Sequence, residues 1–432
     1  MSRPSVFLRR AGLGCAGLTV VLGIAGGVLY KSRYVLPPEA PRSLREPTPN
    51  AYQTMIAACK LEVKELDGIK TSPPNRNSLQ PLAGRKKLLA ANAASIAKLR
   101  EALGQEWLTP QWMTASQTFP EYAQFREEAR MLTLLGTQTY AEEGNLPEAA
   151  RCAADAIELG MKIPRGGVLI TGLVGLACEA IGESALWRIA DTLDAKTARV
   201  TSQRLVALEP QRTSFAQVLE EERRFGRLST RQLFAKSPTQ LWKAVDQEFF
   251  WGEHDQEEES PKLAVQLQLT WLKAQILYYG PKTTIDEMDR WMRALAADSE
   301  KPWQANRPLP PLPTDPLGQL TAPVFSQAGF KWFQTRTNRA LCITYLALRA
   351  YRLEKGGDAP SLDALVVAGY VKAVPADPFS PTHAPLRYQA GKLWSVGPDA
   401  KDDGGKPIDM EGKKGFVNVE KTGDIVARVN TW

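Results

Sequence analysis

Hydrophobic and polar residues follow a helical period along most of this chain. Between 51 and 300, apolar positions recur every three or four residues. Tyr52, Ile56, Cys59, Val63 and Leu66 form one stripe ended by Gly68, and Leu89, Ala93, Ile96, Leu99 and Leu103 form another before Gly104. Thr284 with Glu287 three residues on reads as a capping box opening a helix that carries Met288, Trp291 and Leu295. No convincing period-two run precedes residue 385, so 51–300 is predicted to be almost entirely helical. Ahead of this body, residues 11–30 (AGLGCAGLTVVLGIAGGVLY) are twenty positions without a charge. At about 1.5 Å per residue, such a run crosses a hydrocarbon core of about 30 Å. Arg3, Arg9 and Arg10 precede it and Lys31 and Arg33 follow, a bias that puts the N-terminus inside and the body outside. The run thus predicts a single-pass anchor in the cell inner membrane, with the body in the periplasm or outside. A cleaved signal peptide, with Ala25-Gly26-Gly27 as its small-residue site, is the alternative. Pro37, Pro38, Pro41, Pro47 and Pro49 make 31–50 a stalk.

Within the body, RGGVLITGLVGLACEAIG (165–182) stands out as apolar. Its uncharged part, Gly166 to Cys178, is thirteen residues, too short for a bilayer, and predicts a buried central helix. Arg165-Gly166-Gly167 lacks the GK[ST] and the preceding strand of a phosphate loop. In TYAEEGNLPEAARCAADAIELG (139–160), Tyr140 closes one helix, Gly144-Asn145 turns the chain, and Ala149, Ala153 and Ala156 line the next. This stretch resembles one tetratricopeptide repeat, which implies a close-packed helical hairpin. Residues 301–325, including RPLPPLP (307–313), read as a polyproline linker.

The order of elements then becomes specific. An amphipathic helix over 337–355 ends at Gly356-Gly357. Pro360-Ser361 caps a short helix, SLDALVVAGYV, and Asp377-Pro378-Phe379 precedes strands LRYQ (386–389) and KLWSVG (392–397). AYRLEKGGDAPSLDAL, DPF and LWSVGPDAKDDGG together resemble the globular part of the major pseudopilin of type II secretion. That resemblance implies a calcium site in the final loop, with Asp399 as first acidic ligand and Asp402-Asp403 as the following pair. Three carboxylates within five residues, with glycines that let carbonyls turn inward, are chemically suited to calcium. A solvated Asp/Gly turn is the alternative. The chain departs from that family in two ways. No Gly-Phe-Thr-Leu-x-Glu-like processing site precedes the apolar run, and this run ends at residue 30 while the head's helix begins at 337, so polymerisation as a pilin is not expected. FVNVE (416–420) and DIVARV (424–429) around Lys421-Thr422-Gly423 read as an added hairpin.

The expected fold is therefore mainly α. It has one transmembrane helix, an irregular α-solenoid or helical-bundle body, and a small α+β head with an antiparallel sheet. The expected divisions are a cytoplasmic tail 1–10, anchor 11–30, stalk 31–50, body 51–300, linker 301–325 and head 326–432.

Charge and chemistry narrow function only a little. The net charge is +7, but its basic residues are scattered and form no block interleaved with aromatics, which argues against nucleic acid. Two histidines, His254 and His383, exclude an HExxH motif and a multi-histidine metal site. Five cysteines without a CxxC pair read as small buried hydrophobes, with Cys152 and Cys178 as the candidates if a pair oxidises. The acidic run 253–259 reads as a solvated loop. No nucleophile–base pair is nominated. Three readings follow: an envelope scaffold that binds another envelope protein and has a calcium-stabilised head, an extracytoplasmic hydrolase with its site in the helical body, and an accessory component of a type II secretion-like system.

Overall fold

The computed structural model describes residues 27–39, 42–72, 80–114, 117–237, 240–241, 243, 263–409, 417 and 420–431. Most of the apolar run 11–30, the acidic run 253–259 and most of the expected strand 416–420 lie outside the described residues. The chain is mainly helical with two small antiparallel sheets. It forms two compact units: a smaller one of Met1–Ser43, Arg223–Met292 and Pro311–Pro323, and a larger one of Leu44–Glu222, Arg293–Pro310 and Val324–Trp432.

In the larger unit, Asn50 opens α2 (Ala51–Leu61). Its side chain accepts from the Tyr52 and Leu108 amides at 3.1 and 3.0 Å and donates to the Leu108 carbonyl at 2.9 Å. The apolar stripe then departs from the expected helix. Asn92 brackets the Val63 amide and carbonyl, each at 2.9 Å, and β1 (Glu65–Leu66) pairs with β2 (Ile69–Lys70). Asp67 and Gly68 take φ of +52° and +76°, the pair of left-handed residues that a tight hairpin turn requires. The second stripe divides at Asn92 into α3 (Leu82–Ala91) and α4 (Ala93–Leu103). Tyr52, Trp107 and Phe125 meet edge-on at 5.5–5.6 Å and anchor one hydrophobic core.

The next helical rod comprises α5 (Glu121–Arg130), a wider π-wound stretch (Met131–Thr137) and α6 (Gln138–Glu142). As the sequence predicts, the chain turns at Gly144, φ +76°, and Asn145 caps α7 (Leu146–Lys162), whose Ala149, Ala153 and Ala156 are buried. Helix α8 (Leu169–Ile189) crosses α7 at backbone contact. A Cβ at Gly160 would stand 2.5 Å from the Gly175 carbonyl oxygen, and one at Gly182 would stand 2.8 Å from that of Ala153. Among the described helices, α8 alone is long and apolar enough to cross a membrane, yet 67% of its most apolar window is buried in protein, the position expected for 166–182.

Charges end the uncharged stretch of α8, and they find partners inside the fold. Glu179 and Glu183 lie one turn apart. Helix α9 (Ala195–Leu208) leads through a 3₁₀ turn (Glu209–Gln211) to Arg212, which grips Glu179 with two bonds of 3.0 and 2.8 Å. Arg339, wholly buried on the later helix α12 (Pro316–Lys355), reaches Glu183 at 2.9 Å and Glu179 at 3.1 Å. Helices α10 (Phe215–Phe234) and α11 (Leu263–Ser299) lie between these in sequence, and both carry residues of each unit.

Helix α12 begins at Pro316, well before the expected 337, because Asp315 caps it through the Gly318 amide at 2.9 Å. The Pro-rich stretch before it is less of a linker than its composition suggests. Trp303 donates to the Pro398 carbonyl at 2.8 Å and stacks edge-on against Phe379 at 5.0 Å. Consequently, the core of α7–α9 continues without interruption through Leu341 and Leu346 to Phe379, Leu393 and Ile425, across the boundary expected at 325/326. Ser361 caps α13 (Leu362–Val367) as predicted. Strands β3 (Arg387–Gln389) and β4 (Lys392–Ser395) form the expected antiparallel pair, with Ala390 and Gly391 as its two turn residues. The 424–429 segment supplies β5 (Ile425–Val426) on β4, giving the order β3-β4-β5, while its expected hairpin partner 416–420 lies mostly outside the described residues. Asp377 of the DPF turn explains that motif: it is buried and accepts from the Phe379 and Val396 amides and the Ser395 hydroxyl at 2.7–3.0 Å.

In the smaller unit, Leu241, Ile276 and Leu317 form a core. Asp289 receives Arg223 and Arg227 at 2.9 and 2.7 Å, and Glu39 of the expected stalk pairs with Arg227 and Arg231. The helix after Gly280 starts with Pro281, so Thr284 lies inside it, not at its cap. Glu287 accordingly turns to the Thr314 and Asp315 amides at 2.6 and 3.0 Å instead of closing a box with Thr284.

The ion cluster sets a test. Arg339→Met removes the cation that Glu183 bonds, leaving only the unbonded charge of Arg212 near it, and should cost about 3–5 kcal/mol in denaturant unfolding. Adding Glu183→Leu should recover much of that loss, since Glu179 keeps Arg212. A single variant no less stable than the parent would show that the cluster contributes little.

Candidate functional site

Helix α7 places its alanines on the core and, on the other side, Glu148, Arg151, Asp155 and Glu158 at three- and four-residue spacing. Asp155, only 2% exposed, is the centre of this polar row. One of its oxygens receives Arg100 of α4 at 2.7 Å and the other receives Arg204 of α9 at 2.6 Å. Arg100 also reaches Glu148 at 2.5 Å, and Arg204 reaches Glu158 at 2.7 Å. Two guanidiniums from separate helices are thus held by one desolvated carboxylate, a charge-assisted arrangement with a fixed geometry.

These helices enclose a concavity of about 680 Å³. Leu103, Gly104, Pro147, Ala150 and Ala154 give it an apolar lining, Val200 stands 56% exposed at its side, and Arg151 and Lys196 are exposed cations on its edge. Asp194 fixes the start of α9 by accepting from the Thr197 amide and hydroxyl at 2.8 and 2.7 Å, bonds that hold its carboxyl below the usual range. Chemically, the site can seat an apolar side chain and offer cations to a neighbouring carboxylate. The sequence carried its signal in the Glu148–Arg151–Asp155–Glu158 spacing, which went unread because the alanines on the same helix explained its packing.

Carboxyls pushed toward the neutral form lie elsewhere. Glu128 of α5 is fully buried, and burial together with the charge of Glu62 raises its carboxyl to about 8. Ser95 stands 3.5 Å from one oxygen, and the other has no hydrogen-bond partner among the described residues. Burial raises Glu183 to about 7 against the pull of Arg339, and raises Asp315 and Asp424 to about 6.

Asp399, Asp402 and Asp403 are close together, but their oxygens do not converge. Asp399 accepts from the Lys401 and Gly423 amides, both at 3.3 Å. Asp402 accepts from the Trp394 indole at 3.0 Å, the Gly404 amide at 3.1 Å and Arg387 at 3.0 Å. Burial would raise its carboxyl, yet these donors and the Arg387 charge hold it below the usual range. The Asp403 amide donates to Asp424, a buried residue that the sequence reading missed and that also caps the Gly405 amide at 2.7 Å. In this conformation the Asp399 and Asp402 carboxylates each accept protein donors on both oxygens. Among the described residues, no group of three His, Cys, Asp or Glu side chains is placed to hold a metal. Cys59, Cys152, Cys178 and Cys342 are buried free thiols, and burial pushes Cys152 and Cys178 up to about 12. The candidate pair Cys152–Cys178 is not joined, and Cys15 lies outside the described residues.

No family model matches this chain, and neither a curated protein nor a solved structure matches it. The pseudopilin and tetratricopeptide resemblances rest on the residues quoted above.

The buried carboxyls give the larger unit a pH dependence of definite sign. Burial and the charge of Glu62 raise the Glu128 carboxyl from its ordinary value of 4.5 to about 8. A raised carboxyl contributes stability that is full below the unfolded value and lost as pH rises through the folded one. Unfolding free energy should therefore fall between about pH 4.5 and 8, each such group adding a slope of about 1.4 kcal/mol per pH unit at most. Glu128→Gln stays neutral, so it should flatten that slope and stabilise the protein at pH 8 and above. Denaturant titrations across this range check it, and parallel curves for the two proteins would refute it.

Proposed function

We propose that the protein is a membrane-anchored envelope scaffold whose larger unit receives a segment of another envelope protein in the α4–α7–α9 concavity. The supporting observation is the pair of guanidiniums held by Asp155 beside an apolar lining. Arg100 and Arg204 are already paired, so they shape the wall without demanding a counter-ion. The exposed Lys196, and Arg151, which pairs with Glu148 only at 3.6 Å and stays half exposed, are the cations a partner can reach. The complementary ligand is an apolar side chain followed by an acidic residue. Holding the wall rigid before binding reduces the ordering cost that otherwise subtracts from affinity. The extracytoplasmic site and the inner-membrane anchor belong to this proposal and rest on the charge bias around 11–30.

A photo-crosslinking residue at Val200, in the full-length protein in its own membranes, should give a discrete adduct. Lys196→Glu combined with Arg151→Glu should weaken capture roughly tenfold, the equivalent of about 1.4 kcal/mol. The same residue at Val367, which is 89% exposed and not among the residues lining the concavity, is the control. No adduct from Val200, or the same adduct from both positions, overturns the proposal.

A further inference from the structure

The smaller unit presents an exposed aromatic face where the apolar N-terminal run ends. Residues 27–34 are helical (α1), and Val28, Leu29 and Tyr30 are 62%, 51% and 63% exposed. Immediately after them the chain is pinned to α11. Arg33 lies over the Tyr278 ring at 4.0 Å and donates to the Tyr278 carbonyl, while the Tyr34 hydroxyl donates to the Leu277 carbonyl at 2.5 Å. Gly280, at φ +68°, permits this contact: a Cβ there would stand 3.1 Å from the Arg33 carbonyl oxygen and from the Tyr34 ring.

On α11, Ile276 and Leu272 face the unit's own core with Leu241 and Leu317. Another side of the helix points to solvent. Trp271 is 67% exposed, Tyr278 64% and Leu277 44%, with Ala274 also exposed between them. Trp271, Ala274 and Tyr278 are spaced i, i+3, i+7, a single stripe along the helix.

We infer that this stripe of α11 lies in the headgroup layer of the bilayer, so that the protein meets the membrane through a second, interfacial helix beside its anchor. The inference rests on the anchor reading of 11–30 and deepens it. Position is what commits the face to lipid. Arg33 stands three positions after Tyr30, the end of the uncharged run, a helical rise of about 5 Å. A face pinned that close to the end of a membrane span cannot stand far from the surface. Its chemistry agrees: Trp and Tyr are the side chains that settle at the water–lipid boundary, with rings toward the hydrocarbon and polar edges toward water. Lys31 and Arg33 supply cations at the level of anionic headgroups.

The test uses the full-length protein in vesicles of phosphatidylethanolamine and phosphatidylglycerol, with Cys15 replaced by Ala and the buried thiols left in place. An environment-sensitive fluorophore is attached at Trp271→Cys, Ala274→Cys or Tyr278→Cys in separate samples, with Val367→Cys as control. The three α11 labels should lose most of their emission to lipids with a shallow nitroxide and be shielded from aqueous iodide. The control should behave in the opposite way. Ala274→Cys removes no aromatic ring, so a signal there does not depend on the larger substitutions being tolerated. If the chain stays with the vesicles at alkaline pH but the α11 labels remain open to iodide, the interfacial helix is overturned and the anchor stands. Shielding from iodide without nitroxide quenching would mean that protein, not lipid, covers the stripe, which also overturns it. If alkaline carbonate releases the chain, the anchor fails and the interfacial reading fails with it.

Discussion

Two carboxylates one turn apart on an otherwise apolar helix impose the main constraint on the larger unit. Helix α8 passes through the interior, pressed on α7 at glycines that let the two backbones touch. Glu179 and Glu183 therefore cannot reach water, and an unpaired buried charge would cost several kcal/mol. Arg212 and Arg339 answer them, from the end of α9 and the middle of α12. Those ion pairs decide which surfaces of α9 and α12 face inward. Helix α12 then brings Leu341 and Leu346 onto the core, and the strands that follow it close the same core with Phe379, Leu393 and Ile425. The C-terminal segment is thus part of the helical unit instead of a head at the end of a linker.

How much of this was legible follows from which forces act locally. The turn at Gly144-Asn145, the alanine face of α7, the burial of α8 and the β3–β4 pair are all set by near neighbours and were readable. Where a local signal competed with the periodic one, the period misled. Val63 and Leu66 continue the stripe of α2, but Asp67-Gly68 offers a tight turn and Asn92, distant in sequence, takes the Val63 backbone. The start of α12 was hidden because prolines suggest a linker, whereas Pro316 at the first helical position suits a helix and Asp315 caps it. The cluster of Arg339 with Glu179 and Glu183 was half visible. The one-turn spacing on an apolar helix shows that cations are needed, but not which of the many arginines supply them.

The candidate concavity was missed for a related reason. Its geometry depends on Arg100, Asp155 and Arg204 from three helices, and only tertiary packing brings them together. Each alone looks like an ordinary residue on a solvated helix face. Burial of Asp155 changes that. A carboxylate at 2% exposure holds its two arginines far more firmly than a surface pair would, because little water competes for it.

The acidic loop shows the converse: a cluster that the sequence marks on its own, whose carboxylates the fold draws into hydrogen bonds. Clustered carboxylates repel one another unless something positive or hydrogen-bonding intervenes. In the pseudopilin family a calcium ion does this. Here Asp402 lies against Arg387, which the β3–β4 pairing carries to it, and its second oxygen takes the Trp394 indole and the Gly404 amide. Asp424 is inserted from the C-terminal segment and spends its oxygens on the Asp403 and Gly405 amides, which order the loop from inside. Because β5 pairs with β4, the residue just before it necessarily reaches this loop. A chain segment beyond the region of resemblance therefore contributes hydrogen bonds to the loop. The same acidic motif ends as part of the sheet's hydrogen-bonding, with burial raising the Asp424 carboxyl to about 6 against the pull of the Gly405 and Asp403 amides.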